Sequence, residues 1–102
     1  MKILVINPNT TLEMTNSIGE MAEKYSNPGT EVTAISPEWG PRSIEGHFEE
    51  YLSAMATVET VAKYIEDFDA FIIACYGDPG VSACREMDAE RWVVVGRGGR
   101  EV

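Results

Sequence analysis

Basic side chains are scarce in this sequence of 102 residues. Only 8 lysines and arginines stand against 17 acidic residues, which gives a formal net charge of −9 at pH 7. This balance argues against a partner with a phosphate backbone and against an anionic membrane surface. We therefore expect no nucleic-acid partner and no membrane partner.

Long apolar runs and metal-binding side chains are also scarce. No apolar stretch approaches the ~20 residues that a transmembrane helix needs, and the N-terminus lacks the features of a signal peptide. The only histidine is His47, and the only cysteines are Cys75 and Cys84. Their spacing resembles neither a zinc site nor a disulfide framework. The sequence therefore predicts a cytoplasmic protein that holds no metal.

Two phosphate-binding motifs are missing as well. Asn-Pro-Asn-Thr-Thr follows the first apolar run where a dinucleotide-binding protein would have G-x-G-x-x-G, and G-x-x-x-x-G-K-[ST] occurs nowhere. These absences exclude the dinucleotide-binding and P-loop classes. The remaining composition, 44% hydrophobic and 25% charged, is that of an ordinary small globular domain.

Buried-strand patterns alternate with helical patterns along the chain. Apolar runs predict strands over residues 2–6, 31–35 and 70–74, and a fourth strand over 92–95. Thr10 and Glu13 have the spacing of a capping box at the start of a first helix, and a second amphipathic helix is predicted over about 47–67. The fold class is therefore α/β, a three-layer, mostly parallel sheet of about four strands with flanking helices.

Each predicted helix has a set of apolar residues at helical spacing. In the first helix these are Met14, Ile18, Met21, Ala22 and Tyr25. In the second they are Phe48, Tyr51, Leu52, Met55, Val58, Ala62 and Ile65. Such a stripe is typical of the face that a helix turns toward a core.

The third strand leads into the segment with the strongest indication of chemistry. Five apolar residues precede Cys75, and a Gly/Asp/Pro turn at 77–80 ends the strand. Ligands of open parallel sheets bind at the carboxyl ends of strands. Backbone N–H groups of Tyr76, Gly77 and Asp78 could lower the pKa of the thiol below its ordinary value. The alternative is that Cys75 is a small buried hydrophobic residue.

Two other loops are candidates for contact with a ligand. Amide and hydroxyl donors lie between the first strand and the first helix, where an anionic group could dock: Asn7, Asn9, Thr10 and Thr11. The alternative for Thr10 is a purely capping role, so Asn9 is the better candidate. The Gly/Pro-rich loop at 39–46 is long enough to cover a site.

Three motifs, ILVINPNTT with Met14-Thr15, GPRSIEG and ACYGDPG, occur in this order over residues 1 to about 87. Together they resemble the hydantoin racemases of the aspartate/glutamate racemase superfamily. The resemblance implies a cofactor-independent isomerase of hydantoins or related amino-acid derivatives, built from two similar α/β lobes that each lend one cysteine to the site between them. One thiolate removes the proton at the chiral carbon and the other thiol returns a proton from the opposite face.

The resemblance also implies roles for particular residues. Cys75 is the catalytic cysteine of the first lobe, and the substrate-binding residues are Asn9, Thr10, Ser43, Tyr76, Gly77 and Asp78. Two further residues have structural interpretations: His47 is expected to be solvated at a helix start, and Cys84 to face the core or a neighbouring helix. We expect no cofactor and a homo-oligomer.

The C-terminal end departs from the family. Residues 1–87 are predicted to form the racemase-type lobe, and residues 88–102 an atypical end with a last strand and a mobile tail. A fragment, a shifted reading frame or a genuine short form would each explain this end. Two further hypotheses stay open: two chains that pair about a twofold axis with their Cys75 residues facing each other, and a non-catalytic α/β binding or interaction module.

Overall fold

The computed structural model describes residues 1–74 and 80–88, together with the backbone of the strand at 92–95. Strands and helices alternate along the chain. In order, they are β1 (Lys2–Ile6), α1 (Leu12–Tyr25), β2 (Glu31–Ile35), α2 (His47–Tyr64), β3 (Ala70–Ile73), α3 (Val81–Met87) and β4 (Trp92–Val95).

The four strands form one parallel sheet in the order β2-β1-β3-β4. β1 is central, with Ile3 opposite Val32 of β2 on one side and opposite Ala70 of β3 on the other. The predicted α/β fold is confirmed, and so are the predicted bounds of β1 and β2. Because the strands are parallel, all their carboxyl ends lie at one edge of the sheet, which we call the carboxyl edge.

Helices cover both faces of this sheet. Side chains alternate across a strand, so Leu4 and Ile6 share one face and Val5 takes the other. The first face forms the apolar core with residues from β3, α2 and α3: Phe71, Ile73, Val61, Val81 and Cys84. On the opposite face α1 packs closely, since a Cβ on Gly19 would lie 3.1 Å from that of Ala34. The predicted three layers are therefore present.

The buried face of α2 is not its most apolar face. All but one of the buried residues are small or carry a hydroxyl, the exception being Val61: Ser53, Ala56, Thr57, Thr60 and Val61. In contrast Phe48, Tyr51 and Met55 are exposed, Phe48 to 72%. Val58 and Ile65 of the predicted stripe do pack against the core. The predicted helix is confirmed, but its apolar stripe faces the core only in part.

The chain approaches α2 closely where α3 begins. Gly80, just before α3, has φ +77°, and a Cβ there would lie 2.9 Å from both the Ala54 carbonyl oxygen and Val58 Cγ2. Helices this close to a neighbour leave no room for large side chains at the contact.

The predicted capping box of Thr10 and Glu13 is wrong. α1 begins at Leu12 with Thr11 as its N-cap, and no side chain caps the helix. The Thr10 N–H instead donates to the Pro41 carbonyl oxygen at 2.9 Å. A tertiary contact between two loops has therefore displaced the local cap. No helix in the described part of the chain is long and apolar enough to cross a membrane.

Candidate functional site

Three strand ends are tied together at the carboxyl edge. The Asn7 N–H donates to the carbonyl oxygen of Ile35 at the end of β2, and the Ala74 N–H donates to that of Ile6 at the end of β1, both at 2.9 Å. Each of these bonds continues the ladder one residue beyond a strand. The loop that follows β1 therefore starts beside Ala74, the residue that follows β3. The next residue in sequence is Cys75, which lies outside the described residues, as do Tyr76, Gly77 and Asp78.

The loop after β1 is bound to the loop after β2. Besides its N–H bond to Pro41, Thr10 points its hydroxyl at the Gly40 carbonyl oxygen, 3.5 Å away. The Thr11 hydroxyl donates to the Arg42 carbonyl oxygen at 2.8 Å. The structure thus brings the predicted substrate loop and the predicted neighbouring loop together.

Ser43, the predicted contact in the second loop, follows this bound segment directly. Its hydroxyl is exposed and donates to the Glu45 carboxylate at 3.1 Å. The described hydrogen bond of Ser43 thus stays within its own loop. His47 begins α2 with its side chain 94% exposed, which confirms the expectation of a solvated residue at a helix start.

Asn9 has a side chain whose two ends are used differently. Its Oδ1 accepts hydrogen bonds from Asn7 Nδ2 at 2.9 Å and from the Thr11 N–H at 3.1 Å. Its Nδ2 donates to the sulfur of Met14 at 3.4 Å. A thioether is a weak acceptor. The amide nitrogen of Asn9 is therefore the end that can still donate strongly to a ligand.

The sequence placed Asn7 among the donors of this loop but did not assign it as a substrate contact. Its side chain is only 2% exposed and donates to the Thr15 hydroxyl at 3.1 Å as well as to Asn9. The Thr15 hydroxyl is also hydrogen-bonded to the Ser36 hydroxyl after β2. The available signal was an asparagine directly after a buried strand, where a buried polar group needs partners.

Cys84 has the environment of a core residue, unlike the polar residues of the carboxyl edge. It is fully buried in the core between the sheet and α3. Burial raises the pKa of its thiol to about 11, because desolvation disfavours the thiolate. The expectation that Cys84 faces the core is confirmed.

Solved racemases have this fold. The allantoin racemase from Pseudomonas fluorescens superposes with a TM-score of 0.87 at 42% identity, over 93% of this chain and 40% of that one. The allantoin racemase from Klebsiella pneumoniae superposes with a TM-score of 0.81 at 47% identity, over 84% of this chain and 36% of that one. The fold of this chain is thus the fold of part of each of these racemases.

Sequence comparison gives the family. Residues 3–91 match the model of the Asp/Glu/hydantoin racemase family, and the chain belongs to that family. It is 50% identical over 88 residues to a hydantoin racemase of Pseudomonas sp. (strain NS671), and 42% identical over 89 residues to one of Paenarthrobacter aurescens. Each match covers 85% of this chain but only 35% and 38% of the relative. The chain thus spans little more than a third of the length of these curated relatives.

Proposed function

We propose that this chain contributes one lobe of a cofactor-independent racemase that acts on hydantoins or related amino-acid derivatives, allantoin included. Family membership supports this, as do relatives that are named hydantoin and allantoin racemases. The single observation that carries the proposal is the placement of the Asn9 amide. It sits on a loop that starts beside Ala74, one residue before Cys75.

The proposed reaction moves one proton at one carbon. The Cys75 thiolate takes the proton from the ring carbon that bears the side chain, and the electron pair of the broken C–H bond delocalises onto the adjacent carbonyl as an enolate. A thiol on the opposite face then returns a proton to the same carbon. The Cys75 sulfur ends as a thiol and the other as a thiolate, and exchange with solvent resets both.

The enolate oxygen needs donors that are already in place when its charge develops. In this proposal the Asn9 amide N–H supplies one of them, and the backbone N–H groups of Tyr76, Gly77 and Asp78 supply the others. Thr10 and Ser43 belong to the loops that border the substrate. Thr10 acts through the contact that holds its loop against Gly40 and Pro41.

The second acid/base group lies outside this lobe in the proposal. Cys84 cannot take that part, because it is buried in the core and its pKa is raised. The group comes from a further lobe, or from a second copy that pairs about a twofold axis. We propose a homo-oligomer for this reason, and a cytoplasmic location because the cysteine spacing resembles no disulfide framework.

The test is to incubate the purified chain with L-5-methylhydantoin in D₂O near pH 7. Exchange of the proton at the chiral carbon is followed by NMR and optical rotation in parallel, with Cys75→Ala as the background control. We expect exchange that depends on Cys75. A matching loss of rotation would mean that two acid/base groups meet, and retained rotation that one thiol works on one face. No exchange above the control would contradict the proposal and favour a non-catalytic binding module.

A further inference from the structure

The mechanism above gives no role to Asn7, although its amide is buried at the centre of the carboxyl edge. Asn7 follows β1 directly and stands two residues before Asn9. Its backbone N–H continues the ladder to β2, so its position is fixed by the sheet. A buried carboxamide carries two donor hydrogens and one acceptor oxygen, and leaving them unpaired costs stability. The hydrogen-bond partners of the Asn7 carboxamide therefore show which groups it holds in place.

The hydrogen bonds of Asn9 define which way its carboxamide points. The Thr11 backbone N–H, 3.1 Å away, can only donate, so the atom that it contacts is the Asn9 oxygen. Asn7 Nδ2 is the second donor to that same oxygen, at 2.9 Å. Two donors at one oxygen turn the NH₂ group to the opposite side, away from the buried network.

Asn7 is itself held in place by a hydrogen bond to α1. Its Nδ2 also donates to the hydroxyl of Thr15, which is buried in α1. The Thr15 hydroxyl donates in turn to the Thr11 carbonyl oxygen at 3.2 Å. The donor that reaches Asn9 is thus anchored in the sheet and in α1 before any ligand arrives.

We propose that Asn7 is a positioning residue that holds the Asn9 carboxamide with its N–H groups turned outward, toward a carbonyl oxygen of a cyclic ureide or imide. The nature of that acceptor rests on the proposed function. The assigned orientation of Asn9 does not, because it follows from the hydrogen bonds alone. A donor fixed in advance stabilises developing charge better than one that must first rotate.

The first arm of the test needs no ligand. Three-bond NMR couplings to Asn9 Cγ report whether its χ1 angle takes one rotamer, and nuclear Overhauser effects from its NH₂ protons report which way the carboxamide faces. We expect one rotamer and one carboxamide orientation in the parent chain and averaging in Asn7→Leu, which removes the donor and keeps the branching at Cγ. Thr15→Val is the comparison variant, because it removes one anchor of Asn7 but keeps the Asn7 amide that donates to Asn9, so we expect a smaller effect than in Asn7→Leu. Asn7→Ser, too short to reach Asn9, replaces the leucine variant if that one fails to fold.

The second arm is a titration with 5-methylhydantoin, read on the side-chain NH₂ resonances of Asn9. We expect a shift whose midpoint is raised about tenfold in Asn7→Leu and less than about threefold in Thr15→Val. An Asn9 side chain as ordered in Asn7→Leu as in the parent chain would overturn the proposal, and so would equal averaging in both variants. An ordered Asn9 that no hydantoin shifts would contradict the proposed function while supporting the positioning role.

Discussion

Two regions of the same strands are held by contacts of different kinds. On the face toward α2 and α3, apolar side chains of the strands pack into the core: Leu4, Ile6, Phe71 and Ile73. Cys84 is part of this core. At the carboxyl edge, one or two residues further along, the contacts are hydrogen bonds of amides, hydroxyls and carbonyl oxygens.

This difference suggests that the core determines the stability of the fold and that the carboxyl edge determines its chemistry. Apolar packing is non-directional and scales with buried area, so it fixes the sheet without orienting any one group. Hydrogen bonds are directional, so the network around Asn7 fixes the orientation of one side-chain amide, that of Asn9. Changes in the core should thus alter the free energy of unfolding, and changes at the edge should alter proton transfer.

The sharpest test of this separation compares the two cysteines. Cys75→Ala should remove proton exchange at the chiral carbon of L-5-methylhydantoin, because it removes the proposed base. Cys84→Ala should leave most of the exchange, because it only trims the core. Both rates are measured by NMR in D₂O on samples of equal folded fraction. Equal losses from the two variants would contradict the separation.

Two phenylalanines compare buried and exposed apolar side chains. Phe71→Ala removes a fully buried ring and should lower the free energy of unfolding by about 3–5 kcal/mol. Phe48→Ala, on the exposed side of α2, should change it by less than about 0.5 kcal/mol. Urea titrations give both values. A large loss from Phe48→Ala would show that the outer face of α2 is covered in solution.

Two glycines separate close packing from backbone strain. Both Gly80 and Gly29 have positive φ, but only Gly80 lacks room for a Cβ. Gly80→Ala should cost about 2–4 kcal/mol in free energy of unfolding, from strain and overpacking together. Gly29→Ala should cost about 1–2 kcal/mol from strain alone. Equal costs in urea titration would mean that α3 can move away from α2.

Two buried hydroxyls of α2 test how much a hydrogen-bond partner contributes to the free energy of unfolding. The Ser53 hydroxyl donates to the Pro8 carbonyl oxygen at 3.1 Å, whereas the buried Thr57 hydroxyl has no partner within the described residues. Ser53→Ala should therefore lower the free energy of unfolding by about 1–2 kcal/mol. Thr57→Val should leave it unchanged or raise it. A loss from Thr57→Val as large as that from Ser53→Ala would indicate a buried partner for Thr57.

The smallest expected effect is a loss of stability in alkali. The Cys84 pKa is about 11 in the folded chain against 9.0 for an ordinary thiol, so the folded state holds this proton more tightly. The contribution is complete below about pH 9 and declines as the pH rises toward 11, by about 1 kcal/mol at pH 10. Urea titrations at pH 8 and pH 10 measure it. Cys84→Ala should show a smaller decline, and an unchanged decline would contradict the assignment.

Local patterns predicted the strands well, and they did so because buried parallel strands are continuous apolar runs. β1 and β2 have the predicted bounds for this reason. The stripe on α2 misled because periodicity ranks residues by hydrophobicity, whereas most of the buried positions of α2 hold small or hydroxyl-bearing side chains. Which face is buried depends on neighbours that are remote in sequence.

The candidate site was predictable only where residue type carries the chemistry. Asn9 was found because an amide follows a strand at the edge where ligands bind. The role of Thr10 and the importance of Asn7 depend on bonds to Pro41 and to Thr15, which no local pattern encodes. The roles of Cys75 and of the three residues after it stay predictions.

The most direct measurement of the central claim is alkylation of the native chain with iodoacetamide at neutral pH, followed by mass spectrometry of each thiol, with and without 5-methylhydantoin. The account predicts that Cys75 reacts faster than a model thiol and is protected by the hydantoin, while Cys84 reacts only after unfolding. A Cys75 no faster than the model thiol and unprotected, or a Cys84 that reacts as fast in the native chain, would contradict the assignment of chemistry to the carboxyl edge.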